Sequence, residues 1–298
     1  MTTLSTPLML ALSGECPDAN RFDSFEGVGM IRGEYVMRHS GHYIRTYQGR
    51  RWLRDYLSEI AAAFYPQPVW YRISDFEPRE IGTLVGADVE VSTENPLMAA
   101  RGLRRGLQLP DAFEQELRVV VETSSNHRNL HLLFSFVGTE LELCRGVQFA
   151  KELGFTNHIG TMIETPSAAI DATSLAKHVT HFVVGLNDLT SFFFAAERNS
   201  PFAQKDHPLI IDLLLAIKKV ARENGLTIFV AGDFDSSLLQ KLDGLEFDAL
   251  VLHYTNLPML LGPEFSDLKE IDLVPRLKQE MAASLQVVYP LTFAAIRR

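Results

Sequence analysis

The sequence is poor in cysteine. Only Cys16 and Cys144 occur in 298 residues, too few for a disulfide framework or a structural zinc site, and the expected compartment is the cytoplasm. Long apolar runs are missing as well. The stretch Leu209–Ile217 is broken by charge well before the roughly 20 residues a membrane span requires. The opening MTTLSTPLMLALSGECPDAN has a short apolar segment but no basic start, so it reads as a first buried strand rather than a secretory leader. Positive charge is also scarce. Twenty-eight Lys and Arg against 37 Asp and Glu leave a net charge of −9, which speaks against nucleic acid as a partner because duplex binders carry a basic face. No G-x-G-x-x-G follows the first strand, which removes the usual dinucleotide signature. No repeat, low-complexity tract or Pro/Ser-rich linker divides the chain, and residues 1–298 are read as a single domain.

What is present is a strand-then-helix rhythm. The hydrophobic fraction of 46% and charged fraction of 22% are those of an ordinary globular protein. Short runs rich in β-branched and aromatic residues predict buried strands at Leu8–Leu12, Gly29–Tyr35, Val69–Ile73, Leu130–Phe136, Ile159–Ile163, Phe182–Gly185, Thr227–Val230 and Ala249–Leu252. Amphipathic stretches predict helices over Tyr47–Phe64, Glu140–Leu153 and Leu209–Glu223, the last stopped by Asn224-Gly225, with a final helix near Asp272–Leu285. Pro17–Phe25 leaves room only for a short or irregular first helix. The polar stretch between Phe76 and Asn95 reads as an ordered functional loop. Eight such units in about 250 residues predict an α/β fold, a single (β/α)₈ TIM barrel. An open doubly wound sheet is the alternative.

A barrel of this kind works at the C-terminal ends of its strands. There the sequence places Arg32 after the second strand, Arg72 at the third, Arg101 beyond the following loop, Glu164 at the fifth, Asn187 and Asp188 at the sixth, and Arg198 a short helix later. Two carboxylates on adjacent strands suit a hard cation such as Mg²⁺, which takes one or two carboxylates together with water and substrate oxygens. Guanidinium groups present planar donor forks that match phosphate and carboxylate. The set describes a site for a small polyanion. Spacing alone leaves its identity open.

The motifs resemble those of the phosphoenolpyruvate-utilising enzymes. Glu26-Gly27-Val28-Gly29-Met30-Ile31-Arg32-Gly33-Glu34-Tyr35 is similar to E-G-x-G-L-x-R-x-E-F, and Arg72-Ile73-Ser74-Asp75-Phe76 to R-x-S-D-F of phosphoenolpyruvate synthase. Glu94-Asn95-Pro96 through Arg101-Gly102 resembles E-N-P-x-x-x-x-R-G. Met162-Ile163-Glu164-Thr165-Pro166 looks like M-x-E-x-P, Gly185-Leu186-Asn187-Asp188-Leu189-Thr190 like G-x-N-D-L-T, and Glu197-Arg198-Asn199-Ser200 like D-R-x-S. The family includes pyruvate phosphate dikinase and enzyme I of the sugar phosphotransferase system. The resemblance implies that Arg32, Arg72, Arg101, Asn187 and Arg198 bind phosphoenolpyruvate or a pyruvate-like acid. It implies that Glu164 and Asp188 hold Mg²⁺, and that Arg72 and Arg101 act in catalysis.

The chain also departs from the family. Where relatives carry a cysteine that exchanges a proton with the enolpyruvate methylene, Ile228-Phe229-Val230-Ala231-Gly232-Asp233 has Ala231. A lost general acid removes about 10²–10⁴-fold, and Asp233, Asp235, His253 and Tyr254 are candidate replacements, Asp233 and His253 foremost. Gly138 stands where relatives have arginine, so one polar contact near the site is expected to be missing. His39 and His42 do not form the phosphohistidine motif, and the chain has no room for the swivelling and ATP-binding domains of the longer relatives. The resulting expectation is a stand-alone transferase of kinase-like, phosphotransfer type, served by a separate phosphohistidine carrier protein or altered in its chemistry. The alternatives are a Mg²⁺-dependent lyase or aldolase acting on an α-keto acid or enolpyruvate, and a non-catalytic phosphoenolpyruvate sensor or regulatory subunit. A homodimer is expected, with Val287–Phe293 covering the barrel or joining the contact.

Overall fold

In the computed structural model eight short parallel strands pair in sequence order, and the first pairs with the last to close a barrel. The structure describes residues 4–87, 100–198 and 200–253, with residues 256–260, 262, 265, 274–276 and 279 beyond. The strands are β1 (Leu8–Leu12), β2 (Val28–Arg32), β3 (Val69–Arg72), β4 (Leu130–Phe134), β5 (Ile159–Ile163), β6 (His181–Gly185), β7 (Thr227–Ala231) and β8 (Ala249–His253). Each overlaps one of the eight apolar runs. The closing register pairs Leu8 with Leu250 and Ala11 with His253. The strands read as nearly continuous apolar runs because both of their faces are covered, one by helices and one by the barrel interior.

Alternation along the strands separates two cores. Met9, Met30, Trp70, Leu133, Met162, Val183, Phe229 and Val251 fill the barrel interior. The larger core, including Leu10, Ile31, Tyr71, Leu132, Ile163, Val184, Val230 and Leu252, lies between strands and helices. On several strands the residue two positions beyond the interior plug emerges at the C-terminal end: Arg32 after Met30, Arg72 after Trp70, Glu164 after Met162, Ala231 after Phe229. The period of two that buries the plug also aims these side chains into the mouth.

Between the strands run α1 (Gly33–Ser40), α2 (Tyr47–Ala63), α3 (Pro78–Ile81), α4 (Gly102–Gln108), α5 (Pro110–Ser124), α6 (Glu140–Glu152), α7 (Pro166–Ile170), α8 (Ala172–Leu175), α9 (Leu186–Phe193), α10 (Pro208–Glu223), α11 (Ser236–Asp243) and α12 (Leu257–Leu260). The connection after β1 holds only a 3₁₀ turn, Ala19–Phe22, in line with the short first helix expected. Thr139 caps α6 and closes a capping box with Glu142. α10 ends at Asn224, followed by Gly225 at φ +68°, a conformation glycine adopts without strain.

Two strand ends correct the sequence reading. β2 stops at Arg32 rather than Tyr35, because a Cβ at Gly33 would overlap the Tyr71 hydroxyl. The close approach lets the chain turn there into α1, whose first residues include Glu34 and Tyr35. β4 stops at Phe134, and Phe136 takes a positive φ of 53°. The polar stretch after Phe76 contains α3 and an isolated bridge from Val85 to His42. Its continuation through Asn95-Pro96 lies outside the described residues. So do Tyr254, Asn199, most of the final helix and Val287–Phe293. Among the described residues no helix is long and apolar enough to cross a membrane.

Candidate functional site

The C-terminal mouth of the barrel opens on a cavity of about 450 Å³. Its wall includes Arg32, Arg72, Arg101, Glu164, Asn187, Asp188, Arg198 and Ala231, so residues read from separate motifs meet in one space. Each arrives by a different route. Arg32 and Arg72 are the last residues of β2 and β3, paired in register. Arg101 precedes α4 in extended backbone. Glu164 follows β5, while Asn187 and Asp188 sit in the first turn of α9.

Three of the four guanidiniums are held by carboxylates. Arg72 is bonded to Glu34. Arg101 grips Asp75 with two arms, 3.1 Å from Nε and 2.6 Å from Nη2, and its plane lies 4.6 Å from the centre of the Phe136 ring. Arg198 reaches Asp188 through Nε at 3.0 Å and through Nη2. Arg32 differs. Its Nε donates to Ser13 Oγ at 2.7 Å, and among the described residues it has no carboxylate partner.

The carboxylates of the cavity differ in their surroundings. Glu164 is only 1% exposed and accepts the Phe136 backbone N–H at 2.5 Å. Burial pushes its carboxyl up to about 8, reinforced by the neighbouring Asp188 and Asp75 and only partly offset by Arg72. Burial and two neighbouring acids thus outweigh the Arg72 charge at Glu164. Asp75 goes the other way: burial would raise it, but Arg101 and Arg72 overcome that and hold it below the usual carboxylate range. No group of three His, Cys, Asp or Glu among the described residues is arranged to hold a metal. Two carboxylates completed by water and substrate oxygens remain sufficient for Mg²⁺.

Of the suggested replacements for the missing thiol, Asp233, Asp235 and His253 do not line the cavity. The Asn187 amide donates to Asp233 Oδ2 at 3.0 Å, and the Asp233 backbone N–H donates to Asn187 Oδ1 at 3.2 Å. Asp233 thus fixes Asn187 from behind. His253 Nε2 lies 3.5 Å from Ser13 Oγ, the atom that accepts from Arg32. Asp235 caps α11. Ala231 itself lines the cavity, 3% exposed.

Gly138 contributes no side chain to the cavity wall. The Arg104 guanidinium, held by Glu142 at 2.7 Å, lies beside it. Sequence reasoning assigned no role to Glu34, Asp75, Tyr35 or Ser13, all of which touch or line the site. Three of them lie inside motifs that had been recognised, so the signal was present: Glu34 and Tyr35 follow Arg32, and Asp75 follows Arg72 by three.

Comparison with known proteins supplies a family. Residues 12–260 match the family model described as PEP-utilising enzyme, PEP-binding domain. A probable phosphoenolpyruvate synthase of Pyrococcus horikoshii is 29% identical over 228 residues, covering 71% of this chain and 28% of that protein. A phosphoenolpyruvate synthase of Aeropyrum pernix is 31% identical over 233 residues, with 70% and 28% covered. The chain therefore spans 28% of the length of either relative. Among solved structures, an HpcH/HpaI aldolase/citrate lyase family protein from Burkholderia cenocepacia J2315 superposes with a TM-score of 0.53 at 13% identity, covering 93% of this chain and 95% of that one. At that identity the likeness is one of fold.

Proposed function

This chain belongs to the PEP-utilising enzymes through their PEP-binding domain, and on that premise we propose that its cavity binds phosphoenolpyruvate with Mg²⁺ for phosphotransferase-type chemistry. The observation that carries the reading is the convergence of Arg32, Arg72, Arg101 and Arg198 with Glu164 and Asp188 on one cavity. Four planar cations match a ligand bearing both phosphate and carboxylate. Arg72 and Arg101, buried and rigidly paired, are the catalytic candidates, since charge fixed in a dry site stabilises a transferring phosphoryl group. Asn187 binds substrate oxygen and Asp233 holds it in place. His253 acts through Ser13 on Arg32.

Glu164 and Asp188 would hold Mg²⁺. Burial, Asp188 and Asp75 disfavour the ionised Glu164 carboxyl, and a bound cation would favour it. When bound, Mg²⁺ supplies charge neutralisation for phosphate and enol oxygens. A phosphohistidine carrier protein is the proposed phosphoryl partner, and a symmetric homodimer the proposed assembly, which light scattering returning only monomer would overturn.

Calorimetry with phosphoenolpyruvate, with and without Mg²⁺, tests the binding. Metal-dependent heat at millimolar ligand supports it, and none at that concentration sinks it. The alanine at position 231 favours a second reading in which chemistry on an α-keto acid has replaced phosphotransfer. Protection by pyruvate or oxaloacetate in preference to phosphoenolpyruvate would select that one.

A further inference from the structure

Two departures from the family pattern face the same cavity. At position 231 the proton-exchanging thiol has become a methyl group. At position 35, where the pattern E-G-x-G-L-x-R-x-E-F ends in phenylalanine, this chain has tyrosine. Tyr35 and Ala231 both line the cavity wall, one just beyond β2 and the other at the end of β7. An acid–base group has been lost on one side and a phenol gained on another.

The surroundings of Tyr35 make the added hydroxyl more than a surface change. Two guanidiniums lie over its ring, Arg32 at 4.5 Å and Arg38 at 4.9 Å from the ring centre. Arg38 is anchored by Glu80 at 2.9 Å and Arg32 by Ser13 at 2.7 Å, so both charges are fixed beside the phenol. Among the described residues no donor or acceptor is hydrogen-bonded to the Tyr35 hydroxyl. A tyrosine kept for packing alone buries its ring and finds a partner for its oxygen. Here the ring is packed against two guanidiniums, the hydroxyl has no partner among the described residues, and the residue lines the cavity.

We propose that Tyr35 is a catalytic residue, its phenol exchanging the proton at the methyl carbon of a pyruvate-like substrate in place of the absent thiol. This rests on the reading of the cavity as a phosphoenolpyruvate and pyruvate site. In the protonating direction the electron pair of the enolate C2–C3 double bond takes the phenolic hydrogen. The O–H bond breaks, a C–H bond forms at C3, and the enolate oxygen closes to a carbonyl. The phenolate that remains recovers its proton from water. In the reverse direction the phenolate removes a methyl proton. Arg32 and Arg38 stabilise the phenolate by charge, which a neutral wall could not do. Burial, together with Glu34 and Glu80, works against them, so the exchange is expected to be slow compared with that of a thiol enzyme.

Tyr35→Phe tests the proposal, because it restores the family residue, removes one oxygen and keeps the ring beneath both guanidiniums. The measurement is exchange of pyruvate methyl protons with deuterated water in the presence of Mg²⁺, followed by NMR, alongside calorimetric binding of phosphoenolpyruvate. Wild type should exchange above the rate in Mg²⁺ buffer alone. Tyr35→Phe should lose about tenfold or more, the low side of general acid–base effects, while phosphoenolpyruvate binding is unchanged. Adding Ala231→Cys to Tyr35→Phe should restore exchange, which a variant with a damaged site could not show. The proposal fails if Tyr35→Phe exchanges as fast as wild type, or if wild type does not exceed buffer. Binding without Tyr35-dependent exchange overturns this proposal alone. Absence of any binding overturns the reading of the cavity, and this proposal with it.

Discussion

Asp75 and Arg101 hold each other through two parallel contacts of 3.1 and 2.6 Å, both side chains almost wholly enclosed in the cavity wall. Asp75 follows β3 closely and Arg101 directly precedes α4, 26 residues apart within the connection between β3 and β4. The pair therefore fixes the Arg101 guanidinium in the cavity wall. Burying two charges is costly, and the pairing offsets most of that cost only while both partners are present.

Replacing Asp75 by asparagine should leave a buried guanidinium without its counter-charge. The expected loss is about 3–5 kcal/mol of stability, read as a lower midpoint in urea. Phosphoenolpyruvate affinity should fall as well, because Arg101 loses the clamp that orients it. A variant as stable as wild type would show that another group supplies the counter-charge of Arg101.

Arg32 makes the opposite case. Its one side-chain hydrogen bond goes to Ser13, and no carboxylate consumes its outer nitrogens among the described residues. Arg32→Ala should therefore leave stability nearly unchanged and weaken phosphoenolpyruvate binding. Each charge-assisted hydrogen bond lost costs about 1.5–3 kcal/mol, which corresponds to roughly tenfold to a hundredfold in dissociation constant. Calorimetry against thermal denaturation separates the two effects, and a large fall in stability with intact affinity would reverse the assignment.

The reach of the sequence is clearest when these two arginines are compared. Position 32 is legible because it ends an apolar run that becomes a strand, and a strand end in a barrel is a site position. All eight strands were legible for the same reason, since a strand covered on both faces carries a local signature. The Asp75–Arg101 pair was not legible, because which acid meets which base is decided by the folded path of the chain. The turn at Gly33 depends on the Tyr71 hydroxyl, 38 residues away in the chain. The arginine that fills the space beside Gly138 comes from another helix. Local apolar pattern gave α2, α6 and α10. It missed α4 and α5, where arginines and Pro110 interrupt the run.

Beneath the site, Trp70 stacks with His131 at 4.9 Å and His181 at 4.2 Å, and His158 lies 5.0 and 5.6 Å from the two imidazoles. Burial, with the neighbouring histidines adding to it, pushes His131 down to about 4 and His181 down to about 3. Their unfolded value lies near 6.5, so the unfolded chain binds these protons first. The contribution of these two histidines is complete above about pH 6.5 and is lost as pH falls toward 4, by roughly 1.4 kcal/mol per pH unit for each. Urea unfolding of wild type and His131→Gln at a series of pH values should show that term as a difference in slope, wild type losing more stability on acidification than the variant. An unchanged slope in the variant would place the acid sensitivity elsewhere.

Glu164 predicts how the metal should bind. Its carboxyl is pushed up to about 8 by burial, then by Asp188 and Asp75, so below that value the free site carries a proton where a cation would sit. A divalent ion must displace it, because a carboxylate ligand binds in its ionised form. Mg²⁺ should therefore release about one proton on binding at neutral pH, and its affinity should climb with pH until roughly pH 8 and then level off. Calorimetric titration in two buffers of different ionisation enthalpy measures that proton directly. Glu164→Gln should abolish both the release and the pH dependence, since the amide has no proton to give up, while leaving the neighbouring Asp188 in place. Release that persists in the variant would assign the displaced proton to another group, and Mg²⁺ binding with no release in wild type would mean that Glu164 is not a ligand.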